Sequence, residues 1–335
     1  MRPLKVGGVS RFVAFFVAFL YLMVSAIAPT ESADMAPRSI SELVPAATLA
    51  LGKTADWVAV TSDAVWVGST GPFAVHRIDP KTNRVIAAVT LAGAPCAGLA
   101  VGFGSLWVPM CTPTPSLAKI DLANNRLEVF NIGAAAAEAG ITVDDHGVWL
   151  VTDKDGSLVR LDPTTGKVQA TVRIAAGSYN PHYSAGTVWI SQADGAQLTA
   201  VDTKSLKVTA TVATGPNPRF LTAGDGAVWT LDQGDGAVTR VDVRTLHTSS
   251  IALHTPGHGG DIKFDAGLVW STMWKMPLSV IDAKSGRLKC QWAGPGGDSL
   301  GLGFGSIWLT DYHAGSVARI PLEAALHRCS EAGLP

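Results

Sequence analysis

Three histidines, two carboxylates and an arginine stand out in this 335-residue chain because each departs from a repeating pattern. His182, His258 and His313 could exchange protons near neutral pH. Glu138 and Asp261 could orient such a base or meet a cationic group. Arg219, in Asn217-Pro218-Arg219-Phe220, could bind an anion or pair with Glu138. Tyr183 and Trp274 could wall a ligand with aromatic surface. A metal site would have to be assembled from separate segments such as His182, His258, Asp261 and His313, since no Cys-x-x-Cys spacing occurs; no metal or other cofactor is expected. Each residue also has a plainer role. His182 can be a hydrogen-bonded lining residue, and His258, within Pro256-Gly257-His258-Gly259-Gly260, can simply meet solvent, as can His313. Trp274, flanked by Met273 and Met276, can be a plug between sheets.

The elements that must position these residues are set by seven tryptophans: Trp66, Trp107, Trp149, Trp189, Trp229, Trp270 and Trp308. Neighbours are separated by 41, 42, 40, 40, 41 and 38 residues. A repeat of about 40–45 residues with four strands is a propeller blade. Within each repeat a short apolar strand is followed by a tight turn such as Gly102-Phe103-Gly104-Ser105, then by the tryptophan strand. A variable loop leads to a third strand ending in Asp79, Asp121, Asp162, Asp202, Asp242 or Asp282, and a turn and a fourth strand complete the unit. An aspartate there can accept backbone N–H groups two residues on, so these six read as turn formers rather than a catalytic array. The chain is therefore expected to be all-β, a seven-bladed β-propeller of four-stranded blades over residues 45–321.

The seventh repeat lacks its last strand, because Pro321 stands where the aspartate belongs and residues 322–335 read as a tail with a helical start. Residues 46–51 resemble a fourth strand and should complete that blade, sealing the ring and removing exposed edges. Strand direction then sorts the loops. Turns joining strands 1–2 and 3–4 share a monotonous face of Gly, Asp, Ser, Thr and Lys. The 2–3 loops and blade crossings share the other face, which carries all the irregular residues named above, and binding on a rigid scaffold usually lives in such loops.

Export is expected. Arg2, Lys5 and Arg11 precede an apolar run at residues 12–27, followed by Ala26-Ile27-Ala28 as a cleavage site. Residues 1–28 are read as a signal peptide and 29–44 as a polar linker; the alternative is a retained anchor, but 16 apolar residues fall short of the ~20 that span a bilayer. Four cysteines fit an oxidising compartment, periplasmic or extracellular. The turn at 102–105 sets residue 96 opposite residue 111, so Cys96 should bridge Cys111, leaving Cys290 and Cys329 to pin the tail to blade 6. With 26 basic and 27 acidic residues and no basic stripe, nothing argues for nucleic acid. The partner is expected to be a small molecule or peptide, or a protein, bound by a monomer that has no membrane contact once the signal is cleaved.

The units Gly147-Val148-Trp149-Leu150, Val159-Arg160-Leu161-Asp162-Pro163, and Gly226–Trp229 with Arg240-Val241-Asp242 resemble the seven-bladed propellers of the virginiamycin B lyase and YVTN-repeat superfamily. The resemblance covers about residues 45–321 and implies the fold more than an activity. Lyase members open a cyclic depsipeptide by elimination, with histidine as acid/base near a magnesium ion held by glutamate. Their Pro-His motif at two blade crossings is matched here by Pro181-His182 alone; Pro218-Arg219 and Gly257-His258 stand at the next crossings. Four residues past the tryptophans come Thr70, Cys111, Asp153, Ala193, Gln233, Trp274 and Tyr312, without the expected glutamate. The reading is therefore a non-catalytic binding propeller with His182, Tyr183, Arg219, His258, Asp261, Trp274 and His313 at its site. The alternative is a lyase- or hydrolase-like enzyme acting on a lactone or depsipeptide through His182 and Glu138.

Overall fold

Central strands are buried on both faces, as in Val65–Thr70, where five of six residues are buried, whereas the outer strand Arg84–Thr90 is mostly exposed. That gradient is what radially packed sheets require, since a blade's middle strands touch both neighbours and its last strand meets solvent. The computed structural model describes Met1 and residues 36–111 and 114–331; apart from Met1, the expected signal peptide lies outside the described residues. Among the described residues there are seven antiparallel sheets, at 54–90, 100–130, 141–173, 178–213, 218–252, 261–293 and 300–321.

The ring closes as the repeat requires. Ala47–Ala50 pairs antiparallel with Ser316–Pro321, with Ala47 opposite Arg319 and Ala50 opposite Ser316. The amides of Ala46 and Leu51 extend the ladder to the carbonyls of Arg319 and Gly315, both at 2.8 Å.

Each repeated tryptophan is buried between blades. In five blades a cation from the paired third strand covers the ring: Arg77, Lys119, Arg160, Arg240 and Arg319 lie 5.1–5.5 Å from the centroids of Trp66, Trp107, Trp149, Trp229 and Trp308. A cation over an indole face adds attraction to the burial. The six aspartates do cap their turns. Asp162, for example, accepts from the amides of Thr164 and Thr165 at 3.0 and 2.7 Å. The amide and hydroxyl of Thr165 hold its carboxyl below the usual range, and Thr245 does the same for Asp242.

Both disulfides form as expected, with Cα–Cα distances of 5.6 Å for Cys96–Cys111 and 5.4 Å for Cys290–Cys329. The tail beyond 321 becomes the helix Leu322–Glu331, anchored on blade 6 through Cys329. The stretch expected as a linker differs from a plain tether at its end. Arg38–Ser39 pairs parallel with the outer strand Arg287–Ala293, making blade 6 five-stranded. Arg38 also binds Glu42 at 2.8 Å and the carbonyl of Arg328 at 3.0 Å. The physical reason is an unpaired strand edge, which any nearby extended segment can satisfy.

Candidate functional site

The first strands of the blades converge on the axis and are irregular where they reach the loop-rich face. Register shifts at Asp56/Val58, Ser178/Pro181 and Pro218/Phe220 mark bulges in blades 1, 4 and 5. Bulges re-aim side chains, and here they do so around a central cavity of about 280 Å³ to which every blade contributes. Asn180, His182, Phe220, Asp261, Lys263 and Ser299 are among its lining.

His182 sits opposite Trp189 in its sheet and faces this cavity. Burial, reinforced by the positive charge of Lys263, pushes its pKa down to about 4. It is an uncharged imidazole at neutral pH, and no hydrogen bond from the described residues orients it. Asp261 is buried and fully engaged. Its Oδ1 meets Lys263 Nζ at 2.9 Å, and its Oδ2 accepts from Ser299 Oγ at 2.9 Å and from the amide of Leu300 at 3.3 Å. Gly297-Asp298-Ser299-Leu300-Gly301 has the spacing of a nucleophile elbow. The segment runs into the strand Leu300–Gly303 rather than a helix, and Ser299 is a buried link between Asp261 and the Val58 amide at 3.1 Å.

The other expected site residues divide. Arg219 pairs with Glu138 at 3.4 Å, reaches Gln233 Oε1 at 3.3 Å and lies 4.2 Å from the Tyr179 ring centroid. Of its two expected roles, pairing is the one seen. Tyr183 packs into the apolar cluster of Trp149, Val151 and Ile190 between blades 3 and 4, away from the cavity lining. His258 is exposed on the crossing loop before blade 6 and lines neither central cavity. His254 and His258 stand four residues apart, but in that loop and not on a helix. His313 is exposed on the rim and completes an aromatic group with Trp274 and Tyr312, at 5.0 and 5.4 Å between centroids.

Sequence reasoning missed a second cavity at the mouth, about 220 Å³, with Asp56, Glu138, Trp274, Asp298 and Tyr312 in its wall. Three devices build it. Trp57 adopts a φ of 58°, rare for a bulky residue, and its amide donates to Asp56 Oδ1 at 2.7 Å. Glu138 is tied through its amide to the carbonyl of Cys96 at 2.6 Å, so the Cys96–Cys111 bridge underpins it. Asp298 Oδ1 accepts from the Gly260 amide at 2.9 Å and Trp274 Nε1 at 3.1 Å. Gly259 makes room for that contact, because a Cβ there would sit 2.2 Å from Trp274 Nε1.

The electrostatics of the mouth are one-sided. Burial, and then the neighbouring charge of Asp298, hold Asp56 well above the usual carboxylate range, against the opposing Trp57 amide. Burial raises Asp298 as well, with Glu138 and Asp261 adding to it. Tyr312 is raised by burial and by Asp56 and Asp298. Among the described residues no group of three His, Cys, Asp or Glu side chains lies close enough to hold a metal ion.

No protein-family model matches the chain, and no curated protein sequence matches it. Solved structures do. BamB from Moraxella catarrhalis superposes with a TM-score of 0.59 at 11% identity, covering 83% of this chain and 99% of its own. A streptogramin B lyase superposes with a TM-score of 0.67 at 15% identity, covering 82% of this chain and 96% of its own. At such identities the likeness speaks for architecture, and the chain is a seven-bladed β-propeller with the virginiamycin B lyase-like fold.

Proposed function

We propose that this protein is an exported propeller that binds its ligand, without transforming it, on the face formed by the blade crossings and 2–3 loops. The observation that carries the reading is the company kept by His182, the sole match to the lyase motif. Its neighbour is a lysine rather than a carboxylate, and its pKa near 4 makes it a poor acid or base at neutral pH. Glu138, the partner that acid/base chemistry would use, is committed to Arg219. Around these residues lie two features suited to recognition: a polar axial cavity and an aromatic rim. Two disulfides suit an oxidising compartment, which supports a periplasmic or secreted location.

Thermal-shift screening of small molecules and short peptides tests the reading. A stabilising ligand whose effect drops in His182→Ala, Arg219→Ala or Trp274→Ala is expected. If every stabiliser acts equally on all three variants, binding does not occur on this face. A stabiliser that is consumed, with turnover lost in His182→Ala, favours instead a lyase- or hydrolase-like enzyme for lactones or cyclic depsipeptides.

A further inference from the structure

The mouth cavity gathers carboxyl groups that no cation among the described residues neutralises, and burial makes their ionisation unfavourable until one arrives. The nearby cations are already engaged, Lys263 with Asp261 and Arg219 with Glu138. Asp56 and Asp298 have no cationic partner among the described residues. Asp298 is 6% exposed, and while Oδ1 takes two hydrogen bonds, none from the described residues reaches Oδ2. An ionised carboxylate kept from water and left without a counter-charge is unfavourable. The same wall presents aromatic surface. Trp274 is 38% exposed, unlike the seven buried repeat tryptophans, and its ring lies 6.2 Å from that of Tyr312. Indole and phenol faces attract organic cations. A bare divalent ion fits less well, since it needs several oxygens at 2.0–2.6 Å and gains nothing from aromatic walls.

We propose that the mouth cavity between Asp56 and Asp298 receives an organic ammonium ion, its charge held by the two carboxylates and its alkyl group against Trp274 and Tyr312. The inference rests on the binding reading above and names the class of ligand. A space of about 220 Å³ admits an ammonium head with a short alkyl chain, whether a free amine or a lysine side chain.

Calorimetry and thermal shift on the full chain test it with n-butylammonium chloride and Nα-acetyl-lysine methylamide. Neutral 1-pentanol and Nα-acetyl-norleucine methylamide serve as uncharged counterparts, and sodium, magnesium and calcium chlorides as ionic controls. Both ammonium probes should bind and their counterparts should not, the lysine derivative binding tighter if the natural ligand is a peptide. Asp298→Asn should weaken ammonium binding about tenfold or more, the effect of one lost charge-assisted contact. Asp56→Asn should act in the same direction, and Trp274→Ala should weaken binding about threefold to tenfold. The inference is overturned by silence of both ammonium probes, by binding unchanged in the two asparagine variants, or by magnesium or calcium binding that displaces the ammonium. Neutral or anionic library members that lose their effect in Trp274→Ala, with ammonium probes silent, would remove the ammonium inference and leave the binding reading standing. Ammonium binding unaffected by all three variants, and by His182→Ala and Arg219→Ala, would remove both.

Discussion

Asp232 offers a sharp test of the packing between blades. It ends the strand Ala227–Asp232 and is fully buried, at 0% exposure. Its Oδ2 accepts from Thr239 Oγ1 at 2.5 Å, while Oδ1 has no hydrogen-bond partner among the described residues. Burial raises its pKa from 3.8 to about 7, against the opposing hydroxyl of Thr239. The native protein therefore keeps this proton to higher pH than the unfolded chain does. Stability is unaffected by the group below about pH 4, falls as pH rises through the interval from 3.8 to about 7, and stays low above it. At 1.36 kcal/mol per decade, the full loss approaches ~4 kcal/mol, an upper figure because the interior can relax or admit water. Asp232→Asn keeps the shape and an acceptor for Thr239 but cannot ionise. Urea unfolding with disulfides intact, at pH 4.5, 6 and 8, should show the variant gaining on the native protein by several kcal/mol between the first and last. A stability difference that is the same at all three pH values refutes the reasoning.

Two further outcomes follow from the frame. Trp66→Ala should lose about 3–5 kcal/mol in urea unfolding, since the ring is fully buried and covered by Arg77; a loss under about 1.5 kcal/mol would mean the indoles do not wedge the blades. Joint Cys290→Ala and Cys329→Ala substitution opens a covalent loop of sequence separation 39 and should lower stability by about 4 kcal/mol. Limited proteolysis should then cut near the helix Leu322–Glu331, and an unchanged cleavage pattern would show that the bridge does not hold it.

Much of the frame could be read because its causes are local and repeated. The tryptophan interval, the aspartate turns and the missing last strand each follow from residues within one blade's length. The Cys96–Cys111 pairing followed from hairpin register alone. The docking of Arg38–Ser39 on blade 6 could not be read the same way. Its partner Trp292 lies over 250 residues away, and a two-residue strand carries no periodicity.

The site was legible in part. Trp274, His313 and Glu138 were picked out as departures from the repeat, and they do border the mouth or its rim. Asp56 and Asp298 were missed, although each stands ten residues before its blade's tryptophan, Trp66 and Trp308. Comparing the crossings column by column would have shown that recurring carboxylate. His258 does stand on a blade crossing but meets solvent, whereas Tyr183 lies at the far end of its strand, opposite Val188 beside the 1–2 turn, and packs into an interblade core.

The sequence by itself determined the number of blades, the sealing strand, the bridged cysteines and the face on which irregularity collects, because hydrophobic period and turn chemistry act over a few residues. Tertiary structure alone decided which charges meet. Whether a carboxylate has a cation beside it depends on side chains brought in from other blades, on bulges that turn a strand by one residue, and on how far water is kept out. Lys263 beside Asp261, Arg219 beside Glu138, and no cation among the described residues beside Asp56 and Asp298 is an outcome of that geometry, and it gives this propeller its carboxyl-lined mouth.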